Sequence, residues 1–357
     1  MLRNIMEKRK LKILLWCLIL IATLGVYIFH FAGFVIAYKD RVIEVAIYSI
    51  LGLLLTSILA PLIHELGHLI SGVICGFKLR SFTIGFLKLS FKNKFKISLV
   101  KPNLFGETAM LPKSTNNYSK KLRITVFSGL IFSLALMLVQ MTVLFLCKDL
   151  TLVLLFGLPY HLSTYLLVMN LIPFSETSDG YLLFTYYVKG GIYKEIIDNA
   201  LSVSAEIYLG TRPESVSSHL LTEFSPKYDY YSVLLKYYRY LAFLCRDEDF
   251  AFKVLFDISD LDKIPESLYE TVYKELFFAS IVRGDDNFIR NNEDIVIGYL
   301  EKEESPSDYR IHATYRMYKG DGDWARLIVK SGLKNLSDSD GITKFEKNLL
   351  EAMNNAY

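Results

Sequence analysis

Four long apolar runs dominate the first half of the chain, at residues 13–38, 45–77, 124–147 and 150–174, uncharged except that the second is broken by His64, Glu65 and His68. About 20 apolar residues are enough to cross the hydrocarbon core of a bilayer as a helix. In lipid the backbone has no water to pair with, so a spanning segment must satisfy its own polar groups, and a helix does so locally. The first half of the chain is therefore committed to a polytopic helical membrane domain. The first run is too long for the apolar region of a signal peptide and lacks a small-x-small cleavage site, so it reads as an uncleaved anchor. Overall 52% of the 357 residues are hydrophobic and the mean hydropathy is +0.30, with the apolar residues crowded into this half.

The Lys and Arg residues orient the crossings. The N-terminal stretch carries Arg3, Lys8, Arg9, Lys10 and Lys12, and residues 78–123 carry eleven Lys or Arg against one acid, Glu107. The two other connections are short and nearly balanced in charge. The positive-inside rule then puts both termini and the 78–123 segment in the cytoplasm. That segment alternates apolar and polar residues at Phe82–Ile84 and from Phe91 to Leu99, which predicts a basic β-hairpin. Two uses fit it: lying on anionic headgroups, or offering an edge strand to an extended substrate. From about residue 190 the chain is charged and rich in Tyr and Phe, with breaks at Gly210, Pro213, Pro265, Gly284 and Gly320. Amphipathic helices packed in pairs as a small solenoid are expected there, with the aromatics as core and Asp285, Asp286 and Glu301–Glu304 as solvated charge.

The expected fold class is mainly α: a polytopic membrane domain of about four transmembrane helices with a basic hairpin, then an α-helical soluble domain. The expected divisions are an anchor helix at 1–40, a membrane core at 41–189 and a cytoplasmic helical domain at 190–357. A net charge of +3 gives no sign of a nucleic-acid partner, and the four cysteines have no paired spacing that would frame disulfides or a metal site.

Chemistry enters in the second run. Pro61-Leu-Ile-His64-Glu65-Leu-Gly-His68 contains the pattern His-Glu-x-x-His. Residues four apart share a helix face, so His64 and His68 can offer two imidazoles to one metal ion while Glu65 stands beside it as a base. Ionisable residues cost about 2.5–3.5 kcal/mol each at the centre of a membrane helix, and by default such residues mark function. The alternative is a hydrogen-bonded cluster between helices. A catalytic zinc site commonly has three protein ligands. His161, within the fourth run, is one candidate for the third. Asp179 is better placed: Pro173 breaks the helix at the inner edge, and Gly180 beside the carboxylate permits close approach.

His64-Glu65-x-x-His68 in a membrane helix, followed about a hundred residues later by Asn170-x-x-Pro173 and Asp179-Gly180, resembles the site-2 protease family of intramembrane zinc proteases. Gly76, Gly106-Glu-Thr-Ala-Met110 and Phe127-Ser-Gly129-Leu-Ile-Phe-Ser133 are similar to further family motifs, and the resemblance spans roughly residues 45–190. Leu130 and Ser133 stand where the family has proline and asparagine. Asp179 follows the asparagine by nine residues instead of eight, with Glu176 as a second carboxylate for the same role.

The resemblance implies Zn²⁺ held by His64, His68 and Asp179, with Glu65 as catalytic base and Asn170 holding the substrate or its developing oxyanion. It implies a bacterial cell membrane and a membrane-anchored protein or peptide substrate. The C-terminal domain would recruit a cytoplasmic protein partner. Two other readings compete. One is an inactive family-like adaptor that works through its helical C-terminal domain. The other is a metal carrier, which would place polar residues on several crossings.

Overall fold

The computed structural model describes residues 2–91, 95–173, 175–176, 178–222, 228–258, 260–302, 305–336 and 340–356. Lys92, Asn93 and Lys94 of the expected hairpin, Phe174 at the end of the fourth run, and Glu303 and Glu304 lie outside these residues. Among the described residues the protein is mostly helical, with one two-stranded sheet. Its internal contacts divide it into two compact units, Leu2–Lys113 with Ser119–Gly190, and Ser114–Tyr118 with Gly191–Tyr357.

The first unit holds four helical segments long and apolar enough to cross a membrane: Ile13–Ala37, Lys39–Ile74, Tyr118–Leu146 and Leu150–Leu171. They make it an integral membrane protein. Helix α1 (Leu2–Ala37) and helix α2 (Val42–Ile74) are joined by a single 3-10 turn. Pro61 lies inside α2, which runs on as one helix. Helix α3 (Tyr118–Leu146) follows the hairpin. The fourth crossing is irregular: a short turn at Leu150–Leu152, a π-turn at Val153–Gly157, then helix α4 (Tyr160–Leu171). Close approach explains this stretch. A Cβ on Gly157 would sit 2.7 Å from the Leu144 backbone, and one on Gly52 of α2 would sit 2.6 Å from the Leu154 carbonyl. Small residues let membrane helices pack backbone to backbone, where van der Waals contact supplies much of the association. Val45, Leu144, Val153, Leu154 and Leu158 form the core of this contact, with Tyr27, Phe31 and Phe34 of α1 against it.

Strands β1 (Phe77–Ser90) and β2 (Lys96–Pro112) follow the C-terminal end of α2 directly, after Gly76 turns the chain at φ +85. They pair antiparallel, with irregularities between Leu79 and Leu87. Near the turn the register sets Leu87 opposite Leu99 and Leu89 opposite Ile97, while Lys88 faces Ser98 and Ser90 faces Lys96. Alternation along a strand then puts four aliphatic side chains on one face and two lysines with two serines on the other. The aliphatic face is uncovered, and Leu99 is 76% exposed.

Helix α4 stops at Leu171. Ile172 is extended (φ −77, ψ 130), as expected of a residue preceding proline. Helix α5 (Asp179–Phe184) starts after Ser178, whose side chain accepts a hydrogen bond from the Tyr181 amide.

The second unit is helical throughout: α6 (Ile192–Tyr208), α7 (Tyr230–Leu244), α8 (Glu248–Phe256), α9 (Glu266–Arg283), α10 (Asp286–Leu300), α11 (Pro306–Tyr318), α12 (Gly322–Asn335) and α13 (Gly341–Ala356). From α7 onward each helix packs on a sequence neighbour, as expected of paired helices, and the breaks expected at Pro265, Gly284 and Gly320 all fall between helices. Tyr240, Tyr273, Phe252 and Phe277 are fully buried, so the aromatics are core. Asp285 and Asp286 are exposed, as expected of solvated charge, and each also makes a local contact. Asp285 caps α10 by accepting from the Phe288 amide, and Asp286 accepts from the Tyr318 hydroxyl at 2.7 Å. At the centre, the Arg310 guanidinium lies between Glu346 at 2.8 Å and Glu275 at 2.9 Å, all three buried, with Tyr240 donating to Glu275.

Candidate functional site

The site is assembled on α2 by helical spacing. His64, Glu65 and His68 are all buried, on a stretch that also buries Ala60, Pro61, Gly67 and Gly72. Glycine is required where α3 crosses this face. A Cβ on Gly67 would sit 2.8 Å from the Ser128 carbonyl, and one on Gly129 would sit 2.2 Å from the His68 ring. Ser128 stitches the crossing by donating to the Gly67 carbonyl at 2.8 Å. Helix α3 thus lies close enough to hold both imidazoles from behind. His64 Nδ1 is 2.9 Å from Ser133 Oγ, and His68 Nδ1 is 2.8 Å from the Thr125 carbonyl.

Asp179 arrives from the other side. The turn from α4 to α5 is so tight that a Cβ on Gly180 would sit 1.9 Å from the Leu171 carbonyl. No other residue fits there, and the close approach sets Asp179 against the two histidines. Its Oδ2 is 3.1 Å from His64 Nε2 and 3.2 Å from His68 Nε2, and the two Nε2 atoms are 3.1 Å apart. These three atoms form a nearly equilateral triangle.

The donor set says what such a triangle wants. A carbonyl oxygen only accepts, so the Thr125 carbonyl requires a proton on His68 Nδ1. The neutral imidazole then presents a lone pair at Nε2. Asp179 Oδ2 is a buried oxygen with no hydrogen-bond donor of its own. Acceptors converging in this way are satisfied by a cation, either a proton or a metal ion. The residues fit zinc. With Zn–N and Zn–O near 2.0–2.1 Å, neighbouring ligand atoms of a tetrahedral ion lie about 3.3–3.4 Å apart, close to the edges observed. Among the described residues His64, His68 and Asp179 are the group whose ligand atoms converge to within 4.8 Å of one another.

Glu65 sits beside this triangle. Its Oε2 is buried without a hydrogen-bond partner. Gly106 of β2 makes room for it: φ is +73, and a Cβ there would sit 2.6 Å from Glu65 Cγ. The three α2 side chains, Asp179 and Asn170 open onto one cavity of about 550 Å³. Its walls include Trp16 of α1, Met169 of α4 and the strand residues Gly106 to Thr108.

The two other candidates stand apart. His161 is paired with His30 of α1, Nε2 to Nδ1 at 2.9 Å, in an aromatic cluster with Tyr27 and Tyr160. Glu176 is outside the converging group. Trp16 in the cavity wall and the Thr125 carbonyl behind His68 escape a reading of the sequence, because neither carries a local signal.

Residues 50–152 match the model of peptidase family M50, the site-2 protease family. The match covers His64, Glu65 and His68 and ends before Asn170 and Asp179. No curated protein and no solved structure matches the chain.

Proposed function

On the premise of the match of residues 50–152 to the site-2 protease family, we propose that the chain is an intramembrane zinc metalloprotease. It would cut peptide bonds in or near the transmembrane segments of membrane-anchored substrates. The observation that carries the reading is the convergence of His64 Nε2, His68 Nε2 and Asp179 Oδ2 within 3.2 Å of each other, beside a buried carboxylate with no partner. Family membership alone fits an inactive adaptor equally well. A hydrogen-bonded adaptor cluster would have paired its donors and acceptors.

In this reading His64, His68 and Asp179 hold the ion, which when bound acidifies a water and polarises the scissile carbonyl. Ser133 and the Thr125 carbonyl orient the two imidazoles by holding their Nδ1 atoms. Glu65 takes the water's proton on Oε2 and passes it to the leaving amine, as a general base and then acid. Asn170 offers its amide to the substrate from the cavity wall. The substrate unwinds to an extended stretch that lies along Gly106–Thr108 of β2, where a strand can pair with it. The N-terminus, hairpin and C-terminal domain are assigned to the cytoplasmic side of a bacterial membrane. The C-terminal domain, from about residue 190, is assigned the recruitment of a cytoplasmic partner.

The test is zinc content and cleavage together. One zinc per chain is expected in the detergent-purified wild type, lost in His64→Ala/His68→Ala and reduced in Asp179→Ala. Glu65→Gln should keep its zinc and lose cleavage of a quenched single-pass peptide in proteoliposomes. A wild type that takes up no zinc on reconstitution sinks the protease reading and leaves the adaptor.

A further inference from the structure

Behind His64, on the side away from the catalytic cavity, lies a small chamber lined by Ala60, Pro61, Ser133, Ser163 and Asn170. The space open to the centre of a water molecule is about 10 Å³. That is about the volume one water needs, provided it also finds two to four polar partners. His64 and Asn170 line both the chamber and the cavity, so these two side chains divide one from the other.

Ser163 is the unusual member. It is 2% exposed, and its hydroxyl has no hydrogen-bond partner. Helical serines and threonines in apolar surroundings commonly donate back to a carbonyl one turn earlier. Its neighbour Thr164 does so, to the Tyr160 carbonyl at 2.9 Å, and Ser71 does so to Gly67. A buried hydroxyl left without a partner costs on the order of 1–3 kcal/mol, so a residue that forgoes the backbone bond has another use.

Ser133 supplies the other half. For Nε2 of His64 to carry a lone pair, Nδ1 must carry the proton and donate it to Ser133 Oγ at 2.9 Å. The Ser133 hydroxyl proton then needs an acceptor of its own. Among the described residues the Ser133 hydroxyl is hydrogen-bonded to His64 alone. Two buried hydroxyls, one needing an acceptor and one needing any partner, thus face the same one-water chamber.

We propose that Ser133 and Ser163 hold a single buried water behind His64, and that Ser163, acting through this water, is a positioning residue for the metal site. The chain runs from His64 on α2 through Ser133 on α3 and the water to Ser163 on α4. It fixes the tautomer and tilt of His64 from three helices at once. Asn170 gives the water its third partner. The proposal rests on the metal-binding reading of His64 and extends it.

The experiment is a double-mutant cycle read by cobalt binding. Co²⁺ is titrated into the purified, metal-stripped full chain, with affinity taken from competition with a chelator and geometry from the visible d–d band. Ser163→Val puts methyl groups where the water sits. Loss of an outer-shell partner costs about 10–100-fold in metal affinity, so a loss of at least about tenfold with an altered band is expected. In a Ser133→Ala background the chain is already cut, and Ser163→Val should then change affinity little. Equal losses in both backgrounds would mean simple overpacking and overturn the proposal, as would no loss in either. A high-resolution crystal structure of the wild type supplies a readout independent of metal. Water density within hydrogen-bonding distance of both serines is expected, and a dry chamber overturns the proposal. A wild type that binds no cobalt while showing that water would refute the metal reading and leave the water site standing.

Discussion

Gly129→Ala is the sharpest single test of how α3 shapes the site. The added Cβ would fall 2.2 Å from Cε1 and 2.5 Å from Nε2 of His68. Carbon atoms rest about 3.5–4.0 Å apart, so the ring would have to retreat by about 1.3 Å or more. It cannot do so freely, because Nδ1 is tied to the Thr125 carbonyl on the same helix α3 at 2.8 Å. Moving α3 away instead breaks the close crossing at Gly67 and Ser128. Metal sites tolerate about 0.2 Å in ligand distance, far less than this displacement. Zinc affinity should fall at least about a hundredfold, about 2.8 kcal/mol. Gly33→Ala is the matched control, since a Cβ there meets nothing within 4 Å. The assay is chelator competition on detergent-purified protein, with thermal unfolding to show that both variants are folded. A folded Gly129→Ala protein with wild-type zinc affinity would refute the claim that α3 presses on His68.

Three further outcomes follow from other parts of the molecule. Arg310→Ala strands two buried carboxylates, and breaking a buried pair from one side costs about 3–5 kcal/mol, so hydrogen exchange across α9, α11 and α13 should rise sharply in the full chain. Arg310→Met with Glu275→Gln and Glu346→Gln should recover most of that protection; no recovery would mean that the ion pairs matter less than the shape of Arg310. Leu99→Asp on the open aliphatic face of the hairpin should weaken protection of the hairpin by anionic liposomes, measured by proteolysis, while Ser98→Asp on the opposite face changes it less. Gly180→Ala cannot fit against the Leu171 carbonyl, so zinc content should drop as far as in Asp179→Ala although every proposed ligand is intact.

What could be read from the residues followed from local periodicity. Four crossings were legible because an uncharged stretch of about 20 residues has few other structures open to it. His64 and His68 were legible as a pair because residues four apart share a helix face. The Asp179-Gly180 dipeptide was legible through the family resemblance, and the physical reason for its glycine, a contact with the Leu171 carbonyl, emerged only with the fold. The rest depends on contacts between distant segments. Thr125 takes part through its carbonyl, which its side-chain identity does not announce. Trp16 reaches the cavity because α1 folds back on α4, and nothing near Trp16 in the sequence encodes that. Asp285 and Asp286 are exposed as expected, but the cap that Asp285 supplies was not legible, because capping depends on where a helix begins and helix ends are the least regular part of the pattern.

Several local rules are broken together at the candidate site. Glu65 Oε2 and Asp179 Oδ2 are buried without donors, Gly106 takes a left-handed conformation against Glu65, Gly129 brings the α3 backbone against the His68 ring, and Gly180 packs tightly on the Leu171 carbonyl. Each is costly alone: a buried carboxylate oxygen without a partner costs several kcal/mol or forces neutralisation, and a membrane interior makes that cost larger. In the second unit the buried carboxylates of Glu275 and Glu346 are handled in the opposite way, each paired with Arg310 in the same core. The chain can therefore satisfy buried carboxylates with its own cations, and at Asp179 it supplies two imidazoles whose outer nitrogens are already held in place by α3. On the metal-binding reading proposed above, a cation taken from solution would complete this triangle, with Glu65 beside it and a cavity of about 550 Å³ in front.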